Sequence, residues 1–79
     1  MAVYLDIEKT AASAAFVEYE FRTVDERSGV LRIDLRSGKV ELQRMLPGDK
    51  DGGLFAHASH KVSKAWEDGE LPDKLCWAS

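Results

Sequence analysis

His57 and His60 stand three residues apart, and on a helix that spacing sets two imidazoles side by side, as a metal site would need. Zinc takes about four ligands, and the remaining candidates, Cys76, Asp49 and Asp51, stand at no metal-binding spacing. The pair therefore reads as solvated, with no metal and no cofactor expected. The stripe continues through Lys61 and Lys64, so His57, Lys61 and Lys64 form a weakly basic helix face. Such a face can meet a phosphate or an acidic partner, more strongly when the histidines are protonated. Glu67 and Asp68 partly cancel it, and cations late in a helix also complement its dipole.

Catalysis finds little support. The chain carries no nucleophile elbow, no phosphate-cradling glycine loop and no Cys/His pair at a telling distance. Gly48, Gly52 and Gly53 precede a helix start, where anions bind, but Asp49 and Asp51 would oppose a phosphate there. Asp34 and Glu41 are expected to face each other across a hairpin, among arginines that make them a salt-bridge lattice rather than an acid/base pair. Cys76 has no identifiable base and reads as an inert thiol. A non-enzymatic protein is the expectation, with no catalytic residue assigned.

Two surfaces suit a macromolecular partner. Trp66 falls at core spacing, whereas Trp77 lies outside any periodic element and either covers the core or enters an interface. Trp77 and Leu75 in the tail, with His57, Lys61 and Lys64 on the helix, are the expected partner-binding residues. The alternative is nucleic acid on the outer face of a sheet, where exposed aromatics stack bases. Arg22, Arg32 and Arg36 with Tyr4 and Phe16 would carry it. Against it stand Glu18, Glu20, Asp34 and Glu41 on the same parity, and a net charge of −3.

The elements that must position these residues follow from period. From Phe16 to Leu46 apolar and charged residues alternate, the mark of strands buried on one face. Strands are expected at about residues 3–8, 16–24, 30–36 and 39–46, with Lys9 to Ala15 a connection. Gly29 is expected to close the first hairpin loop as a left-handed bulge, and Ser37-Gly38 to form a two-residue turn. That turn would set Leu35 opposite Val40 and Ile33 opposite Leu42. From Leu54 the period becomes helical, giving a helix over about 53–67 with Asp51 near its start and Gly69 past its end. Leu71-Pro72 stops it, and the tail at about 70–79 forms a short edge strand or frays.

The expected fold is α+β: a four-stranded antiparallel β-meander with one C-terminal α-helix packed on a single face. Val3, Leu5, Ile7, Val17, Tyr19, Phe21, Leu31, Ile33, Leu35, Val40 and Leu42 would line the sheet, under Phe55, Ala58, Val62 and Trp66. Seventy-nine residues make one domain with a thin stability margin. A homodimer through an edge strand or the Trp77 tail would widen that margin. No apolar run approaches the ~20 residues of a membrane helix, so no membrane partner is expected. Met1 to Asp6 lack the basic start and apolar run of a signal peptide. With a single cysteine, that predicts a cytoplasmic protein in a reducing compartment. The function expected is a small protein-interaction or regulatory module whose partner is another protein or itself.

Overall fold

A computed structural model describes residues 4–78. Val3, expected in the first strand and core, lies outside the described residues. In chain order the elements are β1 (Tyr4–Ala12), β2 (Phe16–Arg22), β3 (Ser28–Asp34), β4 (Val40–Arg44), α1 (Gly53–Glu67) and β5 (Lys74–Ala78). The sheet is antiparallel throughout, in the order β4-β3-β2-β1-β5. It therefore has five strands, not the four expected. The tail supplies the fifth, because Leu75 and Trp77 alternate with Lys74, Cys76 and Ala78 and pair along β1.

The alternation that marks the strands sets the core. Leu5 and Ile7, Val17, Tyr19 and Phe21, and Leu31 and Ile33 are all buried, and α1 adds Ala58 and Val62. Leu35, Val40, Phe55 and Trp66 pack against this core half-buried. Leu42, expected inside, is 40% exposed. Leu46, expected to end the fourth strand, instead leaves the ladder and is fully buried.

Three local expectations change. β1 runs on through Lys9, Thr10, Ala11 and Ala12, where a connection was expected. Thr10 is skipped in the pairing with β2, so a bulge carries the strand past the alanines. In the β2–β3 turn the left-handed residue is Glu26, at φ 67°, while Gly29 is an ordinary strand position opposite Phe21. Gly29 is needed for space instead, since a Cβ there would come 2.5 Å from Phe21 Cζ and 2.8 Å from the Arg44 carbonyl. Finally, the β3–β4 turn is longer than two residues, and Ile33 pairs with Val40 and Leu31 with Leu42. Asp34 causes this, because its Oδ1 accepts the N–H groups of Arg36 and Ser37 at 2.8 and 2.9 Å and curls the chain before Leu35 can pair. Gly38 closes the turn at φ 76° against the face of Trp66.

The helix spans the expected residues. Its end is a Schellman motif: Gly69, at φ 81°, donates to Trp66 and Glu70 donates to Ala65. That motif turns the chain back toward the free edge of β1, where β5 forms.

Candidate functional site

The lead into β5 is tied down by groups from two other strands. Tyr19, fully buried, donates its hydroxyl to the Pro72 carbonyl at 2.6 Å. Burial, then the Asp73 carboxylate, pushes the Tyr19 phenol up to about 12. Lys9 donates from Nζ to the Leu71 carbonyl at 2.7 Å and lies 3.5 Å from the Asp73 carboxylate. Its own N–H reaches the Asp73 carbonyl at 2.8 Å. Sequence spacing points to neither Lys9 nor Tyr19 for such a role, because nothing local links them to a segment more than fifty residues away.

From this anchor β5 runs with Leu75 opposite Ile7 and Trp77 opposite Leu5. Both side chains are half-buried against the core. The Trp77 indole stacks on the His57 imidazole with ring centroids 3.8 Å apart and planes 13° from parallel. His57, expected to be solvated, stays exposed, but the tail stacks on one face of its imidazole. Lys61 and Lys64 follow at helical spacing on the same stripe and are exposed. The structure brings Leu75, Trp77 and His57 together and puts Lys61 and Lys64 on the adjoining helix face. Among the described residues no group of three or more His, Cys, Asp or Glu side chains could hold a metal ion. Cys76, an exposed free thiol, pairs in register with Asp6.

The arginine set is divided instead. Tyr4 donates to Asp6 Oδ1 at 2.9 Å, and that bond and the Asp6 charge raise the Tyr4 phenol's pKa. Asp6 faces Arg22, whose guanidinium is paired with Glu20 and raised in pKa by it. At the other end of β2, the Arg32 guanidinium lies 3.9 Å from the centroid of the Phe16 ring. Arg36 sits in the β3–β4 turn. A depression of about 290 Å3 there is lined by Phe16, Arg32, Asp34, Lys39 and Glu41. Glu41 is opposite Arg32 and Asp34 opposite Phe16, so the two carboxylates expected to face each other do not.

The helix start shows a residue whose role the spacing concealed. Asp49, 6% exposed, accepts the N–H groups of Leu54 and Phe55 at 3.0 and 2.9 Å. Asp51 takes only the Gly53 N–H, at 3.0 Å. Gly52, at φ 72°, lets the loop fold back so that a carboxylate several residues upstream reaches the first turn. The anion position before the helix is filled by the protein's own side chain. Comparison with protein-family models, with curated proteins and with solved structures finds no match.

Proposed function

We propose that this chain is a small, non-enzymatic protein-interaction module of a reducing, cytoplasmic compartment, with its helix on a single face of the sheet. It binds another protein, or a second copy of itself, through the β5 edge and the helix stripe beside it. The observation that carries the reading is the stack of Trp77 on His57 at the outermost strand of the sheet. Tryptophans with one face covered and the other edge free are suited to interface centres. The exposed lysines beside it supply a polar rim.

The nucleic-acid alternative is less well supported. Arg32 covers the Phe16 ring that would stack a base, and Glu18 and Glu41 flank Arg32 in the neighbouring strands. Affinity capture with nuclease treatment separates the two readings, using Trp77→Ala and Arg32→Glu beside the wild type. A stoichiometric protein lost with Trp77→Ala, kept with Arg32→Glu and retained at raised salt is the expected result. Recovery of nucleic acid alone, lost with Arg32→Glu and at raised salt, would overturn the proposal.

A further inference from the structure

The pairing of β5 with β1 leaves one row of backbone groups free. The Lys9 N–H donates to the Asp73 carbonyl, and antiparallel ladder bonds recur at every second pair. Along the register, Leu75 and Trp77 are then bonded to Ile7 and Leu5. The N–H and C=O groups of Lys74, Cys76 and Ala78 point away from the sheet, where no further strand lies among the described residues. On the core side of this open edge stand Leu75 and Trp77, with His57 stacked on the indole. Lys61 and Lys64 continue the His57 stripe, and neither is in an ion pair among the described residues. Glu67 and Asp68 follow at the helix end and confine the basic stretch to the His57–Lys64 span.

From this juxtaposition we infer that the β5 edge receives an extended, acidic segment of a partner protein, which adds as a sixth strand. The inference rests on the reading of the chain as an interaction module and specifies the chemistry of its partner. Backbone bonds to Lys74, Cys76 and Ala78 supply affinity, and side chains supply selectivity. A glutamate on the core side lays its methylenes along Trp77 and Leu75 and carries its carboxylate to the helix stripe. Charge decides against a second copy in the same place. Pairing β5 with β5 about a two-fold axis would set one His57–Lys61–Lys64 stripe toward the other, like against like.

A blocked peptide of alternating glutamate and valine, about eight residues long, is the probe, followed by amide NMR and calorimetry on the full chain. Binding slows exchange at Lys74, Cys76 and Ala78 by about tenfold or more, while Leu75 and Trp77 N–H groups, already bonded to β1, change little. Lys61→Glu with Lys64→Glu weakens it about tenfold or more. Cys76→Pro removes an outward N–H that edge strands can spare, and abolishes the added strand. The core amide signals of this variant report whether it folds, and the lysine double variant carries the test if it does not.

Equal binding of an alternating lysine–valine peptide would overturn the acidic assignment, and binding without protection of the three edge amides would overturn strand addition. Absence of binding by the acidic peptide would overturn both. Self-association in sedimentation, lost in Cys76→Pro, would give the edge to a second copy and overturn the inference while leaving the interaction module in place. Nucleic acid in the capture experiment is the result that sinks the underlying reading itself.

Discussion

The two edge strands, β4 and β5, have five residues each and end the same sheet, yet they meet solvent differently. The β4 ladder skips Gln43, and four of the five β4 residues are exposed. Arg44 in it donates to Ser28 Oγ at 2.8 Å and lies 3.7 Å from Glu20. A bulge and outward charge are the usual means of spoiling an edge for further pairing. β5 has no bulge and a single outward charge, Lys74 at its first position: its register with β1 is unbroken, and its apolar residues alternate half-buried. One edge is defended and the other is kept regular. The difference supports the proposed strand addition at β5, and it also implies that the two edges depend on the core in different ways.

The largest expected effect tests how tightly the β4 side is built. Gly29→Ala places a Cβ 2.8 Å from the Arg44 carbonyl and 2.9 Å from the Leu46 amide nitrogen, both backbone atoms, as well as against Phe21. The chain leaving β4 has to move. We expect a loss of about 2–3 kcal/mol in urea unfolding, typical of overpacking a closed site. Cys76→Ala on β5, at an exposed position, should change stability by less than about 0.5 kcal/mol. Equal midpoints for the two variants would mean that β4 is no more firmly placed than β5.

A smaller effect tests the β5 side. Tyr19→Phe deletes the bond to the Pro72 carbonyl and leaves that acceptor poorly satisfied, for about 1–2 kcal/mol. It also predicts a pH signature. The folded phenol, at about 12, sits above its ordinary 10.0, so the native state favours the neutral form. That contribution is fully present below pH 10.0 and is lost as pH rises through about 12. The wild type should therefore lose stability more steeply than Tyr19→Phe over this window, with the β5 amides opening first. Parallel curves would remove Tyr19 as the tie that holds the fifth strand.

The β5 strand is also where the sequence was hardest to read. The helix over Gly53–Glu67 was legible in full, because its apolar residues keep one period over its whole length. Leu75-Cys76-Trp77 offers too few alternations to mark a strand, and its ladder forms only with a segment at the other end of the chain. Thr10-Ala11-Ala12 hid the extension of β1 for a related reason, since alanines mark no face and the bulge at Thr10 breaks the parity. Leu35 misled in the opposite direction: its parity invites pairing, but the Asp34 carboxylate takes the next two N–H groups first. At the candidate site Trp77 and His57 were each visible as residues of interest. Their stack was not, because it depends on where β5 docks.

That same carboxylate gives the smallest and most local of these tests. Backbone N–H bonds from Ser37, then from Arg36, hold Asp34 below its ordinary 3.8. A carboxyl lowered on folding stabilises the native state above its unfolded value, and the contribution is lost as pH falls through the folded one. Acid should therefore loosen the β3–β4 turn first. Asp34 is exposed, so the effect on global unfolding is slight and the readout must be residue by residue. In an acid titration followed by amide exchange, Arg36 and Ser37 should lose protection below pH 3.8 while Leu75 and Trp77 keep theirs. Asp34→Asn, which retains an acceptor oxygen but no charge, should flatten that response without altering the β5 amides. If the β5 amides open before Arg36 and Ser37, the edge tied by Tyr19 and Lys9 is the weaker one. On the proposed reading, the added strand would then be what firms β5.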